Sequence, residues 1–307
     1  MSLSERRIWL NGRLVPWAEA TVHVLSQSIQ RGTLVFDVMP IYWVKRGPAI
    51  LGLDEHAERF RQSMELAGMT PPYDARALRA GIAEAVKANP GAELVKVSGY
   101  YPGVSLDVLP VDAQPDVAIA AFAIGDIVTG GKRANAGGPA RLQIAASPKM
   151  PASVLSPQVK IAAGYTHAAF AKARARKAGF HDVLFLDGDG SLTESSTQSF
   201  FLMADGVLHT AGLDAVLDGI TRRLTIELAR DEGIEVKEGR MPRELLSSAR
   251  EAFLTGTTTN VWPIERIDSV ELPKPVPGPV TARLLARFTA LCADEDPAFS
   301  KRWLQAV

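Results

Sequence analysis

The chain has 307 residues, and its 34 lysines and arginines balance its 34 aspartates and glutamates, so its formal net charge is zero. Hydrophobic residues make up 47% of the chain and charged residues 22%, which excludes an intrinsically disordered protein. The balanced charge provides no basic surface for nucleic acid or an anionic membrane, and the lone Cys292 excludes an internal disulfide. Without a leader pattern or an apolar run of about 18 residues, the sequence predicts a soluble cytoplasmic protein.

Hydrophobic periodicity in the first part of the chain predicts short strands and two helices. Asn11-Gly12 is the two-residue turn favoured in hairpins, and it joins the first two predicted strands. Asp54 is the predicted N-cap of the first long helix, and Gly68 is its predicted stop. The predicted strands span 8–10, 13–15, 33–42, 49–53, 93–101 and 116–123, and the predicted helices span 54–67 and 75–88.

A stretch at 125–139 holds five glycines and few apolar residues, which is typical of a mobile linker. The sequence therefore predicts a two-lobed α/β (α+β) fold with a cleft, where small-molecule sites usually lie. Its parts are a small N-terminal α+β domain at 1–124, a linker or lid at 125–139, and a larger C-terminal domain at 140–307. In that last domain the predicted strands span 141–146, 182–187, 199–204, 234–238 and 251–255, and the predicted helices span 162–178, 220–232, 242–248 and 279–293.

Residue spacing excludes the common metal and nucleotide motifs. The five histidines fall at no metal-ligand spacing, and the sequence has no HExxH helix, Walker loop or GxSxG elbow. Residues 187–190 (DGDG) superficially resemble a calcium loop, but the glycine comes too early and Gln198 stands where a bidentate glutamate is required. A turn between strands is predicted there instead.

Seven segments, in one order, carry a resemblance over nearly the whole chain. They are IWLNGRLVPWAEATVHVLS, LDEHAERFRQS, VKIAAGY, FLDGDGSLTESSTQSFF, LDGITR, EAFLTGTTTNVWPIERID and GPVTARLLARF. The sequence resembles a class IV (fold type IV) pyridoxal-phosphate-dependent aminotransferase, the group that contains branched-chain and D-amino-acid aminotransferases. One such segment would be weak evidence, whereas seven in the family's order are strong evidence.

The resemblance implies a site for pyridoxal 5'-phosphate (PLP). Lys160 matches the family's Schiff-base lysine, and its apolar neighbours would favour the neutral amine that imine chemistry needs. Glu194 matches the glutamate that keeps the pyridine nitrogen protonated, so that the ring can accept electrons. The cofactor-binding positions that the resemblance implies are Arg59, Lys160, Tyr165, Glu194, Ser199, Gly219, Ile220, Thr221 and Thr257, with Lys160 as the catalytic residue.

Several of these positions also have a purely structural interpretation. The resemblance implies that Arg59 clamps the cofactor phosphate, but it would otherwise be a helix-surface arginine paired with Glu55. Residues 219–221 open a helix whose unpaired N–H groups suit a phosphate, with Thr257 adding a hydroxyl, and the same residues could be ordinary helix caps. Tyr165 matches the tyrosine that hydrogen-bonds the cofactor's phenolic oxygen, and would otherwise be a core residue.

The substrate loop departs from the family's pattern. Branched-chain enzymes read approximately HxLHYGxxxFEGIR, and here the loop reads QSIQRGTLVFDVMP, with Arg31 in place of the pocket tyrosine. Phe36 is retained, and Ser199 replaces an asparagine after the glutamate. We expect Arg31 to bind a substrate carboxylate, unless the substrate carries none there or Arg31 points to solvent. The candidate substrate-binding positions are Arg31, Phe36, Val38, Lys96 (where those enzymes carry another arginine) and Thr258.

The resemblance implies a ping-pong transaminase that moves an amino group from an amino acid or amine to an α-keto acid. The altered loop leaves an (R)-amine or D-amino-acid donor open, although the RxH motif of D-amino-acid enzymes is missing from residues 96–101. An aminodeoxychorismate-type lyase and a non-catalytic ligand-binding homologue are further alternatives. The family's members are at least dimers, so a homodimer or higher homo-oligomer is implied. No nucleic-acid, membrane or metal partner is expected, and 125–139 is a candidate lid that excludes water.

Overall fold

The computed structural model describes residues 2–127 and 134–307. The chain divides into two compact units: the first comprises Met1–Lys132, Val159–Ala163 and Leu291–Val307, and the second comprises Arg133–Gln158 and Gly164–Ala290. The predicted C-terminal domain included Val159–Ala163 and Leu291–Val307, whereas here both belong to the first unit because they hydrogen-bond to its strands. Residues 128–133 of the predicted linker lie outside the described residues, so its role as a lid stays a prediction.

Both units combine strands with helices. Among the described residues the strands are β1 (Arg7–Leu10), β2 (Arg13–Pro16), β3 (Val35–Val44), β4 (Gly47–Leu51), β5 (Leu94–Tyr100), β6 (Asp116–Phe122), β7 (Ala140–Ile144), β8 (Asp182–Leu186), β9 (Leu192–Ser195), β10 (Ser199–Ala204), β11 (Val207–Thr210), β12 (Val236–Glu238), β13 (Ala249–Gly256), β14 (Asn260–Ile267), β15 (Val270–Glu271) and β16 (Leu304–Ala306). The α-helices there are α1 (Gln27–Arg31), α2 (Leu53–Leu66), α3 (Ala75–Ala88), α4 (Ile124–Ile127), α5 (Ala162–Lys177), α6 (Ile220–Asp231), α7 (Pro279–Cys292) and α8 (Pro297–Trp303). Short 3₁₀ helices lie at Leu3–Glu5, Trp17–Glu19, Ala134–Gly137 and Arg243–Ser248.

An antiparallel seven-stranded sheet forms the base of the first unit, in the order β16-β4-β3-β5-β6-β1-β2. The predicted β1–β2 hairpin is confirmed: Asn11 and Gly12 both have positive φ (47° and 90°), as a type I′ turn requires. Helix α2 packs on β3, and α3 packs on β1 and β6. The strands bury every second residue against these helices, which leaves the alternate residues of β3, β5 and β6 half-buried on the other face.

The start of α2 differs from the prediction. The helix begins at Leu53 with Gly52 at the N-cap, and Asp54 lies in its first turn, so the prediction that Asp54 caps the helix was wrong. Gly52 has a left-handed backbone (φ 66°), which lets the chain turn tightly from β4 into the helix. The predicted stop is confirmed, because α2 ends at Leu66 and Gly68 has a φ of 75°.

The second unit is built on a nine-stranded sheet in the order β12-β11-β10-β13-β14-β7-β8-β9, with β15 beside β14. A further pairing between β9 and β10 closes six of these strands into a ring, at the pair Glu194 and Ser199. Its core is built from apolar side chains of these strands, among them Leu142, Leu184 and Phe200. Closing the sheet holds Glu194 between two strands instead of at a free edge.

The turn at residues 187–190 joins antiparallel strands β8 and β9, as predicted. The Asp187 carboxylate accepts hydrogen bonds from the backbone N–H groups of Asp189 (3.0 Å) and Ser191 (2.8 Å). The Asp187 carboxylate oxygen therefore stabilises the turn. Of the helices in the described residues, none has the length and apolar character needed to cross a bilayer.

An exposed apolar ridge lies on the first unit, where α1 and its flanks meet the loop between β5 and β6. The two segments are joined by a bridge between Ser26 and Val104 and by a hydrogen bond from Gln27 Nε2 to the Val108 carbonyl (2.9 Å). The exposed side chains of the apolar ridge are Val24, Leu25, Ile29, Val104, Leu106, Val108, Leu109 and Val111, and Leu106 is 89% exposed. Exposed apolar side chains concentrated in two joined segments are typical of an interaction site.

Candidate active site

Lys160 lies in a short extended segment that continues the first unit's sheet beside β3. The Phe36 N–H donates to the Lys160 carbonyl (3.0 Å), the Ala162 N–H donates to the Leu34 carbonyl (2.8 Å), and the Lys160 N–H donates to Ser63 Oγ of α2 (3.1 Å). An antiparallel bridge joins Val35 to Ile161. The Lys160 backbone is therefore held by both the strand and the helix behind it.

The Lys160 amine lies beside the Phe36 ring, on the half-buried face of the sheet. Its Nζ lies 5.0 Å from the centroid of the Phe36 ring, and the Nζ of Lys96 lies 4.9 Å from the same centroid. Lys96 is on β5, directly opposite Val38 of β3. The structure thus brings together four of the predicted site residues: Lys160, Phe36, Val38 and Lys96.

Arg59 lies on the other side of β3, in a buried cluster of charge. The Asp37 carboxylate, which is fully buried, accepts bonds from Arg59 Nε (2.8 Å) and Nη2 (2.8 Å) and from His56 Nδ1 (2.8 Å). The interpretation of Arg59 as a helix-surface residue paired with Glu55 is wrong, because Arg59 is only 7% exposed and pairs with Asp37. Its predicted contact with the cofactor phosphate stays a prediction.

The buried cluster has defined protonation states. Burial alone would raise the pKa of the Asp37 carboxyl, but Arg59 and His56 outweigh it and hold that pKa far below its usual range. Burial also lowers the pKa of His56, so its imidazole is neutral near pH 7. Since an ionised carboxylate can only accept, His56 carries its proton on Nδ1. The Asp37–Arg59 pair is therefore ionised, and His56 adds no charge.

The second unit gathers a second group of predicted residues around Glu194. Glu194 is opposite Ser199 in the β9–β10 register, and Ser199 is opposite Thr255 of β13. Gly219, the N-cap of α6, approaches so closely that a Cβ there would lie 3.0 Å from Ser199 Oγ. The predicted helix start at residues 219–221 is confirmed. Glu194, Ser199 and the start of α6 therefore lie together.

Lys149 pairs with Glu194, which no sequence pattern indicated. Its Nζ forms a salt bridge with Glu194 Oε1 and donates to the Ala215 carbonyl (2.6 Å), while its backbone N–H donates to the Leu186 carbonyl (2.7 Å). Both side chains are mostly buried, with 18% and 17% exposed. A carboxylate that is mostly buried needs such a partner, and Lys149 supplies it.

The hairpin between β13 and β14 and the start of α6 provide further polar groups. The N–H groups of the first helical turn, at Ile220 and Thr221, are not used by the helix itself. The buried Thr255 Oγ1 has no hydrogen-bond partner among the described residues. Thr259 Oγ1 donates to Gln198 Oε1 (2.6 Å), which fixes the hairpin carrying Thr257 and Thr258 beside β10.

Two further predicted residues lie on helices α5 and α1. Tyr165 is half-buried in the first turn of α5. Arg31 is exposed at the end of α1, and its Nη2 donates to the Leu106 carbonyl in the apolar ridge (2.9 Å). The roles assigned to Tyr165 and Arg31 stay predictions.

Three residues of these clusters were missed in the sequence. A single carboxylate inside the apolar run TLVFDVMPIY was a usable signal for Asp37, because such a group is buried only with a partner. His56 belongs to the helix LDEHAERF, one turn from Arg59, which also allowed it to be found. Lys149 stands in a Pro-flanked irregular stretch, and nothing in its spacing indicated Glu194.

Comparison with known proteins gives one consistent family. The profile of the class IV amino-transferases matches residues 34–267. A branched-chain-amino-acid aminotransferase of Pseudomonas aeruginosa is 28% identical over 304 residues, which is 98% of each chain. The crystal structure of a branched-chain aminotransferase from Thermoproteus uzoniensis with norvaline matches at a TM-score of 0.90 and 29% identity, over 98% of each chain. The branched-chain amino acid aminotransferase from Thermobaculum terrenum, in its PLP-form (holo-form), matches at a TM-score of 0.88 and 28% identity, over 99% of each chain.

The buried pair predicts a large stability cost for Asp37→Asn. Removing one partner of a buried ion pair should lower the free energy of unfolding by about 3–5 kcal/mol near pH 7, measured by urea denaturation. Because the folded pKa of Asp37 lies below its unfolded value of about 3.9, the pair stabilises fully above that pH and less as the pH falls. The difference between wild type and variant should therefore shrink below about pH 4.

The matched control is Asp54→Asn, which removes the exposed carboxylate that pairs with Arg79. Exposed pairs contribute about 0–1 kcal/mol, so this variant should unfold almost as wild type does. Equal urea midpoints for Asp37→Asn and Asp54→Asn would contradict the importance of the buried pair.

Proposed function

We propose that this chain, which belongs to the class IV aminotransferases, transfers an amino group from a branched-chain amino acid to an α-keto acid in a ping-pong reaction. It is a PLP-dependent aminotransferase. One observation carries the proposal. The Nζ of Lys160, whose segment is hydrogen-bonded to β3, lies 5.0 Å from the centroid of the apolar Phe36 ring. A lyase, a non-catalytic homologue and an (R)-amine or D-amino-acid enzyme are not favoured, because the matching proteins named above are branched-chain aminotransferases.

The residues present fit PLP. The N–H groups at the start of α6 suit a phosphate, since a helix N-terminus carries partial positive charge. A Cβ at Gly219 would lie only 3.0 Å from Ser199 Oγ, and Thr255 Oγ1 is a buried hydroxyl without a partner in the described ranges. We propose that Gly219, Ile220, Thr221 and Thr257 hold the phosphate and that Ser199 supports the same region.

Lys160 and Glu194 are the proposed chemical groups. Bound PLP supplies an aldehyde that condenses with amines and a ring that accepts the electron pair released when the substrate Cα loses its proton. Lys160 holds the cofactor through Nζ and, once released, moves that proton as a general acid–base group. Glu194, held by Lys149, keeps a proton on the pyridine nitrogen, and Tyr165 donates to the phenolic oxygen.

Arg59 is the proposed cationic partner of the phosphate. Asp37 contacts its Nε and Nη2, so the guanidinium is fixed in one orientation without an entropy cost at the moment of binding. Because the Asp37 carboxylate offsets much of the positive charge of the Arg59 guanidinium, Arg59 attracts a further anion less strongly. We therefore propose that Arg59 orients the phosphate and that the start of α6 supplies most of the attraction.

The substrate side is proposed from residues of the first unit. Phe36 and Val38 supply apolar surface on the half-buried face of the sheet, which suits a branched aliphatic side chain. Lys96 and Arg31 supply positive charge for carboxylates, and Thr258 supplies a hydroxyl. The predicted cytoplasmic location stays a prediction.

We also propose a homodimer in which the apolar ridge is covered by a second copy of the chain. The eight exposed apolar side chains of the ridge are concentrated in two joined segments, which a solvated surface would not favour. Arg31 donates to the backbone of the same ridge, so the interface would adjoin a proposed substrate residue.

Loss of the Lys160 amine is the direct test of the proposed chemistry. Wild-type protein supplied with PLP should be yellow, and borohydride should bleach it by fixing the bond to Lys160. Lys160→Ala should show no such band and should lose at least about 10²-fold in kcat, because its acid–base group is gone. Lys45→Ala, an exposed control, should behave as wild type does. Undiminished activity of Lys160→Ala would contradict the assignment.

The donor panel tests the substrate. With one keto acid as acceptor, L-leucine should be a better donor than D-alanine or (R)-1-phenylethylamine. Arg31→Ala should lower kcat/KM for L-leucine about 10-fold to 100-fold, because one charge-assisted hydrogen bond to the carboxylate is lost. The kcat/KM for (R)-1-phenylethylamine, which has no carboxylate, should stay unchanged. An equal loss for the amine would eliminate Arg31 as a carboxylate ligand, and preference for the amine would eliminate the branched-chain assignment.

Charge placed on the apolar ridge should disrupt the dimer. Sedimentation velocity should show wild type as a dimer or larger and the double variant Leu106→Glu/Val108→Glu as a monomer at the same concentration, because two charges would be desolvated in the interface. The control is Phe170→Glu, an exposed apolar residue of the second unit, which should leave the assembly unchanged. A monomeric wild type would contradict the homodimer.

A further inference from the structure

The turn between β9 and β10 directly follows Glu194 and is closed by its own hydrogen bonds. It consists of residues 195–198, because Glu194 and Ser199 on either side of it are paired. The Ser195 N–H donates to the Gln198 carbonyl (2.9 Å), and the Gln198 N–H donates to Ser195 Oγ (3.1 Å). The position of Gln198 relative to Glu194 is therefore fixed by the turn.

A buried salt bridge anchors this turn to the rest of the second unit. Asp182, at the start of β8, is fully buried, and its Oδ2 accepts from Lys172 Nζ of α5 (2.6 Å) and from Ser196 Oγ (2.9 Å). Lys172 Nζ also donates to Ser196 Oγ (3.2 Å). Taking a partner away from a buried carboxylate is costly, so Ser196 and its turn are held firmly.

The Gln198 side chain extends from this turn to the hairpin between β13 and β14. It is only 5% exposed, and its Oε1 accepts from Thr259 Oγ1 (2.6 Å), which is buried as well. Gly256 permits this close approach, because a Cβ there would lie 3.0 Å from Gln198 Cγ. Since water does not replace a lost partner at a buried group, this bond ties the turn to the hairpin.

Thr259 closes the tip of that hairpin. Its N–H donates to the Gly256 carbonyl (3.2 Å), and its own carbonyl accepts from Asn135 Nδ2 (2.9 Å). Thr257 and Thr258 are the two residues between Gly256 and Thr259. Holding Thr259 therefore also holds Thr257, the proposed phosphate ligand.

We propose that Gln198 is a positioning residue that sets the spacing between Glu194 and Thr257. One cofactor molecule has to meet both groups, with its pyridine nitrogen at Glu194 and its phosphate at Thr257. Because the cofactor ring is rigid, it tolerates little change in that spacing. Gln198 belongs to the turn that follows Glu194 and binds the hairpin that carries Thr257, so one side chain connects the two. The proposal rests on the proposed roles of Glu194 and Thr257.

The test compares pyridoxamine 5'-phosphate with pyridoxamine, which differ only in the phosphate, in equilibrium dialysis against the cofactor-free full chain. Gln198→Met removes the acceptor at similar volume, so the Kd for pyridoxamine 5'-phosphate should rise about 3-fold to 10-fold, the contribution of one neutral hydrogen bond. The Kd for pyridoxamine should stay unchanged, since it has no phosphate to be misplaced. Gln62→Met, a control that removes an exposed amide bonded to Glu58, should match wild type for both ligands.

Thr259 gives an independent measurement from the other side of the bond. Thr259→Val should raise the Kd for pyridoxamine 5'-phosphate as much as Gln198→Met does, whereas Thr259→Ser, which keeps the hydroxyl, should match wild type. The double variant Gln198→Met/Thr259→Val should bind no more weakly than either single variant, because all three lose the same hydrogen bond.

The outcomes separate the positioning role from the proposed function. An unchanged Kd for pyridoxamine 5'-phosphate in Gln198→Met, equal losses for both ligands, or losses that add in the double variant would each overturn the positioning role. The phosphate role of Thr257 then still stands if Thr257→Val weakens binding of pyridoxamine 5'-phosphate and leaves pyridoxamine unaffected. A Thr257→Val variant that binds both ligands as wild type does overturns the phosphate role and the positioning role together.

Discussion

The backbone hydrogen bonds between the Lys160 segment and β3 are the constraint on which the first unit's site depends. Residues 159–163 are far along the chain from β3, yet they join its free edge through the Phe36 N–H and the Leu34 carbonyl. Ser63 of α2 binds the same segment from behind. The bonds at Phe36 and Leu34 join main-chain groups, so they fix the position of the Lys160 backbone, from which its side chain extends. The Lys160 amine is therefore positioned beside Phe36 by a segment that is hydrogen-bonded to the sheet.

Strand β3 serves two environments because its side chains alternate. Phe36 and Val38 lie on the half-buried face with Lys96, while Asp37 between them is fully buried against α2. The ionised carboxylate is tolerated there because Arg59 and His56 saturate it. One strand thus presents an apolar ring to one side and anchors a guanidinium on the other. A one-residue slip in register would exchange the two sets and destroy both.

Local elements could be predicted from the sequence, whereas pairings distant in sequence could not. The Asn11-Gly12 hairpin and the start of α6 at residues 219–221 carry signals within a few residues, and both were placed correctly. The family could also be predicted, because the resemblance rests on seven segments that occur in the family's order along nearly the whole chain. The salt bridge of Lys149 with Glu194 joins residues 45 positions apart and has no local signal. Likewise, the sequence predicts the Lys160 segment in the same domain as α5, the helix that follows it. Its pairing with β3 could not be predicted, because that pairing depends on the fold.

The first unit is assembled from three separate stretches, and this affects its synthesis. Strand β16 completes the sheet by pairing Leu304–Ala306 with β4. While a ribosome is still adding the second unit, β4 has an open edge, and β3 lacks the Lys160 segment until residue 163 has emerged. Translation at about 5–20 residues per second leaves the β3 edge open for about 6–24 s and the β4 edge open for about 13–50 s. The nascent first unit is therefore a candidate client of chaperones that shield unpaired strands.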